Sequence, residues 1–183
     1  MSQLFTSRLL LTSDSDLRFY LNKHPSLYKQ IGNGKNIINY DELETLQTNF
    51  SSTGKCTIVL NTLHSTSNSK LVGHWVVLLL EITKNTRNCM YVDSLATSFK
   101  NHKHLADIIS RFCAKYKLEL YLWKTRTQRK NTNNCGFQIL FYLHHFSKYG
   151  LKGMYRLQTM LQQYSLPTKE YYILKKAYKL CKT

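Results

Sequence analysis

The sequence predicts an α+β fold in which helices pack on a small sheet. The chain has 183 residues, enough for one domain with a substantial core. Short apolar runs at 57–60 and 74–82 are rich in branched residues and are typical of buried strands. Segments at 102–117 and 135–145 instead carry apolar residues at helical spacing, and the chain after Met154 is also predicted to be helical.

The elements before the first long strand are short. Ser13 and Asp16 stand at the spacing of a capping box before an apolar segment, which predicts a helix start. The segment Gly32-Asn33-Gly34 predicts a turn because these residues tolerate left-handed backbone angles. Residues 40–43 predict one short helical turn.

The sheet is predicted to continue beyond the strand at 74–82. Residues 83–88 have the composition of a hairpin loop, and 89–93 would be the returning strand. Residues 118–123 predict a further strand, followed by a polar run at 124–134 that leads into the helix beginning at Cys135. No repeat or linker interrupts the pattern, so we expect a single domain over 1–183.

Charge is the most unusual feature of the composition. Lys and Arg number 26 against 10 Asp and Glu, a formal net charge of +16. Residues 97–130 and 146–183 each have a net charge of +7, and the segment 131–145 between them carries no charged residue. Such basic blocks predict salt-dependent contact with nucleic acid, whereas solubility or an acidic protein partner is the alternative explanation.

Basic residues of both blocks are candidates for contacts with the phosphates of duplex DNA. Phosphate contacts carry no base information, so we expect binding to be largely independent of sequence. The candidates are Lys100, Lys103, Arg111, Lys115, Lys117, Lys148, Lys152, Lys175, Lys176 and Lys179.

The five cysteines include no CxxC pair, which argues against a zinc ribbon or a thioredoxin motif. Their odd number favours a reduced, intracellular protein. His102 and His104 lie near Cys113 in sequence, but histidines in a basic helix usually face solvent, so we expect no metal. We also expect no secretory leader and no membrane span, since the longest apolar stretch, 75–80, is short.

Three residues follow one another in an order that suits a thiol protease. His74 opens a buried strand, Asp93 ends the paired strand, and Cys135 begins an apolar helix. The helix dipole favours the thiolate at a helix N-terminus, and a histidine can hold the thiol proton and pass it to the leaving amine. A carboxylate on the other ring nitrogen fixes the tautomer. Gln128, in the loop before Cys135, offers a side-chain amide to an oxyanion hole.

Each of these residues also has a simple structural explanation. A histidine in an apolar strand is most often a core residue, and a cysteine opening an apolar helix is mostly inert packing. An aspartate at a strand end is usually a turn residue. The joint order of His74, Asp93, Gln128 and Cys135, on the elements that the chemistry needs, favours catalysis.

The motifs around these residues resemble those of the adenain family. The matching segments are Gly73-His74-Trp75, Tyr91-Val92-Asp93-Ser94, and Gln128 followed after six residues by Cys135-Gly136-Phe137. Adenains are maturation proteases of adenoviruses and related double-stranded DNA viruses and elements, within the clan of ubiquitin-like-protein proteases. The interval from Gln128 to Cys135 suits adenain-like members, whereas Asp93-Ser94 is more similar to the cellular or transposon-borne branch than to the adenoviral Glu-Pro.

The resemblance extends over most of the chain. The segment 58–62 is similar to the family's segment leading to its histidine, and we take 14–150 as the family-like core, followed by a helical basic tail at 151–183. It implies a papain-like or ubiquitin-like-protease-type core, a small mixed sheet packed by helices, with the catalytic cysteine at a helix N-terminus.

The resemblance also assigns roles to the site residues. Cys135 would be the nucleophile, His74 the general base and acid, and Asp93 the group that orients the histidine. Gln128 would be the side-chain oxyanion donor, with the backbone N–H of Cys135 as the second donor. Cys113 would be either a buried core thiol or the partner of a cysteine in an activating peptide.

For the biology, the resemblance implies a viral-type cysteine endopeptidase that cuts capsid and core precursor proteins during virion maturation. Cleavage would follow a small-residue or Gly-Gly-like site. DNA would stimulate the enzyme, and a short activating peptide is a further possible cofactor. We expect a monomer that acts in the virion and the host cell nucleus.

Two other functions compete with this expectation. One is a deSUMOylase or deubiquitinase of the same clan, which would cleave folded ubiquitin-like conjugates rather than short peptides. The other is a non-enzymatic, basic nucleic-acid-binding protein. Against the second, the basic residues avoid 131–145, and the aromatic residues do not interleave with them as a stacking platform would require.

Overall fold

A mixed sheet forms the middle layer of the protein in the computed structural model, which describes residues 13–47, 53–63, 65–66, 73–97, 99 and 102–182. Within these ranges the sheet has five strands in the order β1-β2-β3-β4-β5. Strand β3 pairs antiparallel with β2 and β4, whereas the outer pairs β1–β2 and β4–β5 are parallel. The strands are Ile37–Asn39 (β1), Gly54–Asn61 (β2), Trp75–Ile82 (β3), Arg87–Val92 (β4) and Glu119–Leu122 (β5).

Helices cover both faces of this sheet. One face, with Val59, Val77 and Leu79, packs against α1, α4 and α5, and the opposite face packs against α3 and a short 3-10 turn. Side chains alternate between the faces of a strand, so a central strand covered on both sides is expected to be mostly apolar, as β3 is apart from Glu81. The helices are Asp14–Asn22 (α1), Pro25–Gln30 (α2), Lys103–Lys115 (α3), Cys135–Gln162 (α4) and Leu166–Lys182 (α5), with the 3-10 turn at Tyr40–Glu44.

The structure confirms the predicted α+β class and most of the predicted elements. The capping box is formed, because the Asp16 N–H donates to Ser13 Oγ at 3.1 Å and the Ser13 N–H donates to Asp16 Oδ2 at 3.3 Å. The turn at 32–34 has positive φ at all three residues: 62° at Gly32, 55° at Asn33 and 84° at Gly34. The hairpin loop is shorter than predicted, since β4 begins at Arg87.

Helix α4 is longer than the predicted segment 135–145. It continues to Gln162 and is interrupted at Gly150, where φ is 63° and ψ is −166°. The carboxylate of Glu81 on β3 accepts the N–H of Leu151 at 3.3 Å, directly after the interruption. The apolar pattern resumes there with buried residues that fill the same core, so the chain after the break remains part of the domain.

Helix α5 also completes this core. Ile173 and Ala177 are fully buried against the sheet side that carries α4. The segment predicted as a tail at 151–183 is thus helical as predicted, but in its described part it contributes to the core. Among the described residues, no helix combines the length and the apolar character needed to cross a membrane.

Candidate active site

The ends of two neighbouring strands bring the predicted histidine and aspartate together. His74 directly precedes β3, and Asp93 directly follows β4. Because these strands are antiparallel, with Val77 opposite Val92, the start of one lies beside the end of the other. Cys135 reaches the same place as the first residue of α4.

The His74 ring is held by Asp93. Its Nε2 atom lies 2.7 Å from Asp93 Oδ1, and Asp93 is only 1% exposed. The same carboxylate accepts the N–H of Leu95 at 2.9 Å, the N–H of Thr97 at 3.2 Å and the Thr97 hydroxyl at 2.5 Å. Burial alone would raise the pKa of Asp93, but the bond and charge of His74 and these donors hold it below its usual value.

The Cys135 thiol lies within hydrogen-bonding reach of His74 and near the backbone N–H groups of Trp75 and Gly136. The residue is 6% exposed. Burial opposes ionisation of the thiol, but His74 and these N–H groups outweigh it, so the pKa of Cys135 is lowered. For His74 burial also opposes the charged form, but the bonds and charges of Asp93 and Cys135 raise its pKa to about 9.

These opposite shifts favour a thiolate–imidazolium pair over a neutral thiol and imidazole. The thiolate is the nucleophilic form of cysteine, so the arrangement makes the sulfur more nucleophilic than an ordinary thiol. Since Asp93 occupies Nε2, Nδ1 is the ring nitrogen left for the thiol. The trio can therefore attack an electrophilic carbon and deliver a proton to a leaving group.

Burial raises the pKa of Cys56 and Cys181 to about 11, in Cys56 against the opposing hydrogen bonds of Asn36 and Thr57. Cys89 and Cys113 are buried side by side between the sheet and α3, and a hydrogen bond links their thiols. Cys113 thus lies in the core, one of the two predicted alternatives, and all five cysteines are free thiols in the structure.

Gln128 is 3% exposed and joins the site indirectly. Its Oε1 accepts the hydroxyl of Ser94 at 2.6 Å, next to Asp93, and its Nε2 donates to the carbonyl of Thr132 at 2.5 Å. A glutamine amide has two N–H hydrogens, so one is committed to Thr132 and the second is left for another acceptor. The role of oxyanion donor stays a prediction.

Sequence analysis missed several residues that shape this site. The Ser94 carbonyl accepts the N–H groups of Thr127 and Gln128 at 2.8 and 2.9 Å, which ties the Gln128 loop to the turn after β4. An Asp-Ser-x-x-Thr segment after a strand is typical of side-chain-capped turns and is the signal that could have identified Thr97. Glu170 on α5 was also missed, although it is the only acidic residue in 146–183.

The described DNA candidates are all exposed, but they lie on two different layers. One set belongs to α3 and the turn after it, and the other to α4 and α5, so the sheet separates these two sets. The end of the block 97–130 lies with the second set, since Arg129 bonds to Glu170 on α5. Arg111 is paired with Glu44 at 2.7 Å, and Lys100 lies outside the described residues. The first set is Lys103, Arg111, Lys115 and Lys117, and the second is Lys148, Lys152, Lys175, Lys176 and Lys179.

Aromatic and basic residues do interleave on α5, contrary to expectation. The Nζ atoms of Lys175 and Lys176 lie 5.8 Å from the ring centroids of Tyr171 and Tyr172, one helical turn earlier. These residues are four positions apart, so they are neighbours on the helix but not along the chain. The contacts weaken one of the two arguments against a non-enzymatic nucleic-acid-binding protein.

The histidines considered as metal ligands, His102 and His104, are exposed at the start of α3. In the parts of the chain that the structure describes, no group of three or more His, Cys, Asp or Glu side chains is arranged to hold a metal ion.

No protein-family model and no curated protein matches this chain. Solved structures that match include HopZ1a in complex with IP6, with a TM-score of 0.48, 11% identity, and coverage of 84% of this chain and 51% of that chain. The ASFV pS273R protease matches with a TM-score of 0.41, 15% identity, and coverage of 78% and 65% respectively. The chain thus spans about half the length of the first and just under two thirds of the second. At such identities and scores the likeness assigns no function, and the resemblance to adenains stays a prediction from the motifs.

Proposed function

We propose that this protein is a cysteine endopeptidase with Cys135 as its nucleophile. The observation that carries the proposal is the continuous contact from Cys135 through His74 to Asp93 at the start of a helix. A core cysteine needs no histidine, and a core histidine needs no buried carboxylate with four donors. Packing alone therefore does not account for the arrangement.

The reaction proceeds in two steps. The Cys135 thiolate attacks the peptide carbonyl carbon, and the C–N bond breaks as the His74 imidazolium gives its proton to the amine nitrogen. A thioester remains on the sulfur. Neutral His74 then takes a proton from water, the water oxygen attacks the thioester carbon, and the C–S bond breaks to release the acid. The second step restores the thiolate and the imidazolium that the first step consumed.

Asp93 stabilises the charged His74 ring and keeps it aimed at the sulfur, since a carboxylate on Nε2 fixes which nitrogen faces the thiol. The oxyanion of the tetrahedral intermediate would be held by the backbone N–H of Cys135 and the second amide hydrogen of Gln128. The burial of Gln128 and its bonds to Ser94 and Thr132 support this role, because they fix the amide before substrate binds.

The substrates we propose are capsid and core precursor proteins of a DNA virus, cut during virion maturation after a small-residue or Gly-Gly-like site. The motif resemblance supports this, and the exposed lysines of α3, α4 and α5 support stimulation by DNA. We place the enzyme in the virion and the host nucleus, as a monomer that an activating peptide would further stimulate.

Incubation with a peptide library, with and without duplex DNA, followed by sequencing of the products, tests the proposal. Cys135→Ala should abolish cleavage, and Cys181→Ala should retain it, because Cys181 is a half-buried thiol on α5 with a raised pKa. Iodoacetamide at neutral pH should label Cys135 first. A wild-type protein that cleaves nothing and shows no preferential labelling of Cys135 would contradict the proposal.

Asp93-Ser94, which is similar to the cellular branch of the clan, favours a second candidate, a deSUMOylase or deubiquitinase. Such an enzyme would use the same trio but would recognise a folded ubiquitin-like domain. Cleavage of ubiquitin-like conjugates at rates well above those for short peptides would support this candidate over the first.

A further inference from the structure

A carboxylate from the C-terminal helix is buried beside the candidate active site. Glu170 on α5 is 2% exposed, although the rest of 146–183 has only basic charges. Its Oε1 atom accepts the N–H of Arg129 at 3.1 Å, the hydroxyl of Thr132 at 3.2 Å and the amide Nδ2 of Asn134 at 2.9 Å. Its Oε2 atom accepts a bond from Arg129 Nε.

All of these donors lie in one short segment, the loop 129–134. This loop connects Gln128 to Cys135, so one carboxylate holds both ends of the connection. Helix α5 is itself fixed, since Ile173 and Ala177 are fully buried one and two turns after Glu170. The loop is therefore attached to the rigid core of the protein.

The loop transmits this attachment to Gln128. The carbonyl of Thr132 accepts the Gln128 Nε2 at 2.5 Å, and the single hydrogen of the Thr132 hydroxyl is shared between the Arg129 carbonyl at 2.8 Å and Glu170 Oε1 at 3.2 Å. Movement of Thr132 would move the acceptor that orients the Gln128 amide.

The opposite end of the loop reaches the first turn of α4. The Asn134 carbonyl accepts the N–H of Gln138 at 3.1 Å, and its side-chain oxygen accepts the Gln138 amide at 3.0 Å. Asn134 thus bonds to Glu170 on one side and to α4 on the other, and Cys135 is the next residue. Glu170 therefore touches neither the thiol nor the oxyanion donor, but contacts the residues that place both.

A buried carboxylate needs a specific reason, because removing it from water is unfavourable unless donors replace the lost hydration. Packing of α5 against α4 alone would be served as well by an apolar residue. Three N–H donors of the loop, the Arg129 backbone, the Arg129 guanidinium and the Asn134 amide, satisfy the carboxylate, and its two acceptor oxygens serve all of them at once.

We propose that Glu170 is a positioning residue, which holds the loop 129–134 so that the Gln128 amide and the first turn of α4 stay aligned around the Cys135 sulfur. This inference rests on the proposed peptidase function. By this inference α5, which was predicted as a basic tail, contributes a residue that positions the site.

Steady-state kinetics of Glu170→Gln and Glu170→Ala test the inference. Glu170→Gln keeps the shape but replaces one acceptor oxygen with an amide that faces the Arg129 donor, so we expect kcat to fall about 10–100-fold with KM changed less than about 3-fold. The matched control is Glu44→Gln, because Glu44 also accepts an Arg Nε but lies exposed on the opposite layer. It should keep wild-type kcat.

A second readout separates positioning from folding. The pH dependence of Cys135 alkylation should keep its wild-type shape in Glu170→Gln, because the His74 ring and the Trp75 N–H, which lower the pKa of the thiol, lie at the start of β3 and not in the loop. Hydrogen exchange of the 129–134 amides should accelerate at least about 10-fold in the variant while exchange in the sheet stays slow. Arg129→Met, at a half-exposed side chain, should show the same effects more weakly if Glu170→Ala fails to fold.

Three outcomes would overturn the inference. One is a kcat within about 2-fold of wild type in Glu170→Gln, another is unchanged exchange in the loop, and the third is a loss of activity that is accompanied by loss of the alkylation profile and of the fold. If the wild-type protein cleaves no peptide, the proposed function fails separately. Hydrogen exchange of the 129–134 amides in Glu170→Gln then decides whether Glu170 holds the loop.

Discussion

His74 Nε2 lies 2.7 Å from Asp93 Oδ1, and neither residue belongs to the strand pairing that brings the two together. Each stands just beyond the end of a paired strand, where the side chain can face the helix that begins at Cys135. This relationship places the proton-carrying group between a fixed carboxylate and a sulfur, and it determines how the site should respond to pH.

The pH profile should show the ion pair directly. Activity should fall as pH rises through about 9, where His74 loses the proton needed by the leaving amine, and also as pH falls through the lowered pKa of Cys135. Asp93→Asn removes the group that most raises the pKa of His74, so the alkaline limb should move to lower pH and kcat should fall, though less than in His74→Ala. The measurement is kcat/KM as a function of pH for the wild type, Asp93→Asn and His74→Ala. An alkaline limb that stays in place in Asp93→Asn would remove Asp93 from its orienting role.

Gln128→Ala should reduce kcat by about 10²–10³-fold with little change in KM, because an oxyanion donor acts on the transition state rather than on bound substrate. Gln163→Ala, at an exposed glutamine after α4, is the matched control and should have no effect. Steady-state kinetics and a melting curve for each variant make the comparison. A loss below about 3-fold in a folded Gln128→Ala protein would mean that the amide serves only Ser94 and Thr132.

DNA binding should be electrostatic, and the logarithm of affinity should fall linearly with the logarithm of salt, by about 0.9 per phosphate contacted. The sheet separates the lysines of α3 from those of α4 and α5. Alanine replacement of Lys103, Lys115 and Lys117 should therefore reduce the salt slope by a different amount than replacement of Lys148, Lys175 and Lys176. Titration of labelled duplexes at several salt concentrations gives the affinity and the salt slope of each variant. Lys84→Ala, in the exposed hairpin loop, is the control. A shallow slope with no change in peptidase rate on adding DNA would contradict DNA as a cofactor, without contradicting the peptidase proposal.

Gly150→Ala should lower the free energy of unfolding by about 1–3 kcal/mol, because a side chain at φ 63° is strained. An added Cβ would also lie 2.2 Å from Glu81 Oε1, in the space that the carboxylate needs to accept the Leu151 N–H. Lys152→Ala, exposed on the same helix, should change stability by less than about 0.5 kcal/mol. Denaturant titration of both variants gives the comparison, and equal stabilities would contradict the account.

The sequence was sufficient to predict the residues of the trio because each has a local signature. His74 and Asp93 flank apolar strands of opposite direction, and Cys135 follows a polar loop and precedes a helical apolar pattern. These patterns depend on a few neighbouring residues, and the pairing of β3 with β4 needs only a short hairpin loop. Local signals of this kind survive in a single sequence.

Glu170 shows why the rest could not be predicted. Its partners lie 36 to 41 residues earlier in the chain, so no periodicity links them. The pattern of α5 predicts a helix but not which other helix it packs against. Likewise, the two basic blocks have the same net charge in the sequence, and only the packing of the helices shows that the lysines of α3 lie on a different layer from those of α4 and α5.

Hydrogen bonds join strand β3 and helix α4 near both ends of their packed faces, and together these fix how many residues the helix can hold between them. Cys135 lies against the N–H of Trp75 at the start of the strand, and Leu151 donates to Glu81 near its end. Fifteen helical steps from Cys135 to Gly150 advance about 22 Å at about 1.5 Å each. Six strand steps from Trp75 to Glu81 advance about 20 Å at about 3.4 Å each. One inserted or deleted residue in 136–149 would rotate one contact about the helix axis by about 100° relative to the other. Relatives of this protein should therefore keep the length of this stretch.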